Sequence, residues 1–337
     1  MLLMTNQSIH SNTFLGISLV LLGAVGLAAQ NVILRLYFTP SVLFGQLNFG
    51  GLVTPLIGNI VLLLALRMTM MSILLTIMAR RFYPSTFVAL RELPQVLPLL
   101  GCVIGSGLCL FFGLTLLYFA LSQVAVGIAI ATFFIYPAIT VLLAWRFFRQ
   151  RPRAYQLWLM MVIFIGVVLT TLTPTTNTAS NPVLGSLSAL GAGLSFGLYG
   201  ILAEISLQAQ PTQPALHPVP FSLLTFGVVA SLASLSALIL HQIDQGQIAI
   251  APAVWLPVFA MTLFSAALTL LAYVLNNFGI RYIGASLTAI ISASTPVLTT
   301  LFAWWILQEA LQRQQIVGIG LVTIGVAALS LKAERLN

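Results

Sequence analysis

Apolar residues run along this chain in blocks of membrane length, separated by short polar joints. A span needs about 20 apolar residues at about 1.5 Å rise each to cross a hydrocarbon core of about 30 Å. Ten stretches qualify: 14–34, 60–79, 97–119, 124–146, 155–173, 183–204, 221–241, 253–276, 284–307 and 314–331. The first connection is irregular. Leu52–Ala79 is apolar almost throughout, and as one helix it would be about 42 Å long. Either the second helix is strongly tilted or residues near 40–59 form an outer hairpin or re-entrant piece; Pro55, Gly58 and Asn59 favour the latter. Thr173–Pro182 is polar, uncharged and separates two halves. Gln208–Pro220, with prolines at 211, 214, 218 and 220, is expected to be an extended loop that is not helical.

The two halves repeat one another. Ala125–Trp145 has a relative at Gly284–Trp304, and one ungapped register pairs Pro137 with Pro296, Thr140 with Thr299, Leu142 with Leu301 and Trp145 with Trp304. The same register continues through Gln156 and Gln315 to Gly166-Val167 and Gly325-Val326. The expected organisation is a first five-helix repeat over 14–173, a linker over 174–182 and a second repeat over 183–331. Five is an odd number, so the second copy is expected to be inverted, the ground plan of alternating-access carriers. The fold class is therefore all-α integral membrane, ten transmembrane helices as two inverted five-helix repeats.

Composition agrees with a lipid environment. Hydrophobic residues make up 60% of the chain and charged ones 5%, with a mean hydropathy of +1.08. A soluble domain carries about a quarter charged residues; here lipid must cover most of the surface. The net charge of +8 does not point to nucleic acid, because the arginines sit in short clusters between apolar runs. With both ends cytosolic, the inner segments hold Arg80, Arg81, Arg91, Arg146, Arg149, Arg151, Arg153, Arg281, Lys332 and Arg335, and the outer ones only Arg35 and Arg313. That is a positive-inside distribution. Met1–Thr13 lacks Lys and Arg, so the run from Phe14 reads as a retained first span rather than a signal peptide. The expected location is a bacterial inner membrane with both termini cytoplasmic. Cys102 and Cys109 share a helix face but are too far apart to bridge each other. Gly101/Gly105 and Gly193/Gly197 are small-xxx-small pairs suited to close helix packing.

Several motifs resemble a known family. Ten spans, an "FAL…Pro…AW" pattern over Phe119–Trp145 and its echo over Phe278–Trp304 are similar to the drug/metabolite transporter (DMT) superfamily in its EamA-type branch. The small-rich openings at Leu22–Ala29 and Leu190–Gly197, and the Leu66-Arg67-Met68 element, resemble that family's corresponding helices. The fourth span ends in Arg149-Gln150 where the family often has "LGE", whereas the ninth keeps Gln308-Glu309. The resemblance implies a central cavity lined by helices of both repeats and open to one side at a time.

A polar group at lipid depth is expensive and is usually functional or paired. Arg67 is the charge set well inside a predicted span; it can hold an anionic group in bidentate fashion or snorkel to the outer interface. Asn31, beside Gln30, and Tyr199, its repeat counterpart, are candidates for the cavity wall. Tyr273 and Asn277 share a face, and Tyr118 occupies the first-copy position of Asn277. Ser292 and Thr295 precede Pro296 as Thr132 and Tyr136 precede Pro137. Proline removes a helix donor and leaves a carbonyl one turn back for a hydroxyl or a substrate to satisfy. The same lesion in both copies fits paired gates or fixed kinks. Carboxylates are expected only at span ends or in loops, Glu204 being the best exception, and His10, His217 and His241 outside the core. No acid/base set, metal cluster or phosphate loop is present in the motifs. The expected function is secondary active or facilitative transport of a small organic metabolite, an amino acid or similar, by alternating access. The alternative is a non-transporting scaffold or channel-like permease. An enzyme is not expected, nor a cofactor, a metal or a nucleic-acid partner; the partners are the substrate and the lipid bilayer, and the protein is a monomer or homodimer.

Overall fold

The computed structural model describes residues 2–38, 40–54, 56–123, 132–149, 151–171, 182–209, 214–243, 250–307 and 312–336. Helices dominate it: α1 (Leu2–Phe38), α2 (Ile57–Phe82), α3 (Ser85–Glu92), α4 (Leu97–Gln123), α5 (Tyr136–Phe148), α6 (Ala154–Thr171), α7 (Pro182–Leu207), α8 (Pro218–Ile243), α9 (Trp255–Ser292), α10 (Thr295–Leu307) and α11 (Arg313–Leu336). Six described helical segments are long and apolar enough to cross a membrane: 13–38, 57–82, 97–120, 183–207, 218–243 and 252–292. Four shorter apolar helices lie at 136–148, 154–169, 295–307 and 313–328. The surface is apolar where a soluble protein's is not. Trp145 and Trp304, paired by the repeat register, are 47% and 50% exposed, while Asn277 and Arg67 are buried.

The irregular first connection is a β-hairpin, β1 (Pro40–Leu43) paired antiparallel with β2 (Leu47–Gly50). Phe44 and Gly45, at φ 51° and 72°, turn the chain back. The Phe44 amide donates to the Ile306 carbonyl at 2.8 Å, and the Phe44 ring meets Trp305 edge-on. The hairpin is thereby tied to the end of α10. The second helix then begins at Ile57, so Gly58 and Asn59 belong to it rather than to the connection.

Both predicted proline kinks are full breaks. Residues 124–131 of the predicted 124–146 span lie outside the described residues; beyond them a turn at 134–135 precedes α5, with Pro137 as its second residue. The predicted 284–307 span is not one helix either. Its first part is continuous with α9 through a kink at Gly284 (φ 79°), a turn occupies 293–294, and Pro296 is the second residue of α10. Within the helix that it opens, a first-turn proline costs no hydrogen bond, because that N–H has no acceptor there; the carbonyl four residues back, across the break, needs another donor. The same reasoning corrects the loop expected to reach Pro220: α8 starts at Pro218, with both prolines in its first turn. Residues 210–213 of that loop, the linker 174–181, Gln308-Glu309 and Asp244 are outside the described residues.

Positions paired by the sequence register make matching local bonds. The turns carry matching bonds, Ile135 N–H to Thr132 O and Ser294 N–H to Ile291 O. Thr140 donates to Tyr136 O, and Thr299 to Thr295 O, each at 2.9 Å. The start of α6 is capped by Gln156, whose Oε1 accepts the Arg153 amide; Gln315 accepts the Gln312 amide at the start of α11, both at 2.9 Å. These two helices cross antiparallel and exchange contacts. A Cβ on Gly166 would come within 2.6 Å of Val322, and one on Gly325 within 2.6 Å of Ile163. The register makes Gly166 and Gly325 equivalent, and Ile163 and Val322 equivalent. Other helices also pack across the halves, α1 on α9, α7 on α4 and α2 on α8. Gly193 and Gly197 lie against Phe133 and Ile139, but Gly101, expected to pack closely, has open space where its Cβ would be.

Candidate functional site

A seam of polar side chains lies inside the bundle. On α2, Arg67 sits about 15 Å along the helix from Ile57. It does not snorkel: the residue is 6% exposed, and its Nη2 donates to the Tyr118 hydroxyl on α4. The guanidinium carbon also stands 5.9 Å from the Tyr118 ring centroid. Tyr273 and Tyr37 lie within electrostatic range of it. Tyr37 bonds Thr262 at 2.9 Å between hydroxyls.

Position 277 repeats the role of position 118. Asn277 Nδ2 donates to Ser222 Oγ on α8 at 2.9 Å, and its Oδ1 accepts from the Tyr199 hydroxyl of α7 at 2.7 Å. Tyr118 and Asn277 thus each bond a side chain on the second long helix of their own half. Tyr273 belongs to the same buried cluster as Tyr118 and Tyr199, with Phe226 edge-on at 5.8 Å. Its hydroxyl makes no hydrogen bond among the described residues.

The second helix break is held by hydroxyls. Pro296 deprives the Ser292 carbonyl of its helix donor, and Thr295 Oγ1 supplies one at 2.7 Å. Ser292 Oγ donates to Asn276 Oδ1 at 3.0 Å, and Asn31 Nδ2 reaches Thr299 Oγ1 at 3.2 Å. Gln30, next to Asn31, is buried with its Nε2 unbonded. The first break lacks a short aliphatic hydroxyl in the place of Thr295. Tyr136 stands there instead, its own hydroxyl donating to Ala289 O at 3.3 Å. The freed Phe133 carbonyl faces Gly193, close enough that a Cβ would sit 3.0 Å away. Phe133, Tyr136, Phe196 and Tyr199 pack ring against ring, with centroids 5.0–6.4 Å apart. An apolar cavity of about 210 Å³ lies beside the breaks, lined by Phe134, Pro137, Met160, Phe164 and Ile290 among others.

Of the residues singled out in the sequence, Arg67, Tyr118, Tyr273, Tyr199 and Asn277 come together, and Tyr136 and Ser292 border them. Thr132 does not join through its side chain; its carbonyl closes the turn. Thr295 and Asn31 are engaged at the second break. Tyr37, Ser222 and Thr262 belong to the same networks but carry no motif that marks them, and Asn276, the neighbour of Asn277, joins the second break. Glu204 lies in the last turn of its span, where carboxylates are expected, but it is buried. It is 1% exposed, and its Oε2 accepts the Ala285 amide at 2.8 Å, at the head of the half-helix that follows Gly284. His217 is half-buried, stacked on Tyr83 at 4.2 Å and edge-on to Phe278, with Nδ1 accepting the Val219 amide. Desolvation first, and the charge of Arg281 second, hold its imidazole below the usual histidine range. Among the described residues no group of three His, Cys, Asp or Glu side chains is placed to hold a metal.

An all-α membrane protein with broken helices and a buried polar seam is the class that these features define. Within that class, the EamA-like transporter family model matches residues 39–172 and again 183–331. The chain belongs to that family, which indicates a transporter rather than an enzyme. It is 36% identical over 318 residues to "Uncharacterized transporter sll1319" of Synechocystis sp., covering 94% of this chain and 93% of that protein. One crystal structure is 18% identical, with a TM-score of 0.66 over 96% of this chain and 98% of the other; that likeness speaks for the fold alone.

Proposed function

We propose that this chain is a secondary carrier for a small organic metabolite, working by alternating access at the seam between two inverted five-helix repeats, 14–173 and 183–331, with both termini cytoplasmic. The observation that carries this reading is the reciprocal crossing of α6 and α11. Equivalent residues swap partners there, Gly166 with Val322 and Gly325 with Ile163, on helices that run antiparallel. A local twofold perpendicular to the helix axes has that geometry, and with the axis in the membrane plane it inverts one half relative to the other. Such a pair is suited to exchanging inward- and outward-facing states of similar energy.

Polar capacity at the seam supports the same reading. Arg67 Nε is buried without a hydrogen-bond partner. Unsatisfied groups inside a membrane protein are costly unless something transient satisfies them. The discriminating experiment is counterflow in liposomes with a panel of metabolites. A carrier shows saturable uptake accelerated by internal substrate. Flux linear in concentration would indicate a channel-like permease, and no flux for any compound a scaffold.

A further inference from the structure

Arg67 is a buried cation without an ion-pair partner among the described residues. Of five acidic residues in the chain, Glu92 is exposed on α3 and Glu204 is committed to the Ala285 amide; the side chains of Asp244, Glu309 and Glu334 lie outside the description. The groups acting electrostatically on the guanidinium are phenols, those of Tyr118, Tyr273 and Tyr37. Only one of its three nitrogens is hydrogen-bonded, Nη2 to Tyr118, and Nε is buried and unbonded. An arginine cannot shed its proton to escape burial. Its planar fork is complementary to a carboxylate, which would accept from two nitrogens at once.

The surroundings set the rest of the ligand. Tyr118, Tyr199 and Tyr273 share one buried cluster against which Phe196 packs, and the rings of Phe196 and Tyr199 continue into those of Phe133 and Tyr136. Of the two carboxylates whose side chains are described, Glu92 is exposed and Glu204 is engaged with the Ala285 amide. A zwitterion would therefore leave its cationic end unpaired beside an arginine, whereas a monoanion neutralises the site.

We propose that Arg67, with the hydroxyls of Tyr118 and Tyr273, binds the carboxylate of a net-anionic organic acid whose apolar or aromatic body lies against the Phe133–Tyr136–Phe196–Tyr199 rings. This assignment rests on the carrier reading and narrows its substrate class from amino acids and similar metabolites to organic monocarboxylates.

The test uses the purified full chain. Its thermal unfolding is followed with 3-phenylpropanoate, with the neutral 3-phenylpropanamide, with phenylalanine, and with straight-chain carboxylates from butanoate to decanoate; bound ligand raises the melting temperature by mass action. At least one carboxylate should stabilise the wild type at a concentration at least tenfold below that needed for the amide or the amino acid. Arg67→Gln should abolish the carboxylate shift, and Arg67→Lys should keep a weakened one because a point charge replaces the fork. The amide comparison is made on wild-type protein, so the test survives if Arg67→Gln does not fold. Equal stabilisation by carboxylate and amide overturns the assignment, as does an unchanged carboxylate shift in Arg67→Gln, or a wild type that no carboxylate moves. In each case saturable counterflow of some other compound would leave the carrier reading standing. Absence of saturable counterflow for every compound removes that reading, and the assignment with it.

Discussion

At the residue scale, the hydroxyl of Thr295 replaces the donor that Pro296 cannot provide. Thr295→Val keeps the side-chain shape but strands the Ser292 carbonyl. Leaving a buried acceptor unsatisfied costs about 1–3 kcal/mol, so Thr295→Val should lower the melting temperature in detergent while Thr295→Ser restores most of it. A second residue-scale prediction concerns His217, whose imidazole is held below the usual range by desolvation and then by Arg281. The unfolded chain then binds more protons at this site than the folded one, so stability rises with pH. His217 contributes fully above the ordinary histidine value of about 6.5, and that contribution is lost as pH falls through the lower folded value. Protonating Nδ1 would also remove the acceptor of the Val219 amide. His217→Gln should flatten the acid side of the melting-temperature profile; an unchanged slope would show that other groups set it. Arg67, Tyr118, Tyr199, Tyr273 and Asn277 were legible in the sequence because polarity at lipid depth is conspicuous. Tyr37 and Ser222 were not. Tyr37 ends α1 beside a hairpin, and Ser222 follows a proline-rich stretch, so each resembles a span boundary until the fold turns it inward.

At the scale of elements, the prolines marked where helices weaken, but composition did not reveal that the helices stop. A break also needs its turn packed, and that depends on other helices: the bare Gly193 on α7 faces the Phe133 carbonyl at the first break, and Asn276 accepts the Ser292 hydroxyl at the second. The kink at Gly284 is a similar case. Its φ of 79° suits glycine, and the carboxylate that seals the new helix start comes from Glu204 on α7. The α6–α11 crossing gives a graded prediction. A methyl on Gly166 meets the Gly318 carbonyl at 2.9 Å and Val322 Cγ2 at 2.6 Å, whereas one on Gly325 meets the Ile163 side chain at 2.6 Å and backbone only at 3.7 Å. Side chains yield more readily than backbone, and overpacking costs about 1–3 kcal/mol. Gly166→Ala should therefore destabilise more than Gly325→Ala in thermal unfolding. Adding Val322→Ala should recover part of the Gly166→Ala loss, because the Gly318 carbonyl stays in place.

For the whole molecule, the decisive property is the relative direction of the halves. The sequence register pairs positions that make the same local bonds, at 135/294, 140/299 and 156/315. Direction is a separate matter: it followed from an odd number of spans and from the distribution of arginines, both of which depend on how spans are counted. Arg153 and Gln312 decide it with a single pair of sites. They are equivalent in the register, both are exposed, and each donates its amide to a capping glutamine. Inverted repeats place equivalent positions on opposite sides of the membrane; parallel repeats place them on the same side. In a background with Cys102 and Cys109 replaced by alanine, Arg153→Cys should react with a membrane-impermeant maleimide only after the cells are opened. Gln312→Cys should react in intact cells. Asn48→Cys, on the hairpin tied to α10, should behave like Gln312→Cys, and Glu92→Cys, beyond α2, like Arg153→Cys. Labelling of both Arg153→Cys and Gln312→Cys from one side would make the halves parallel. The reciprocal glycine contacts would then have no symmetric partner state to exchange with, and alternating access by swapping equivalent conformations of the two halves would lose its structural basis.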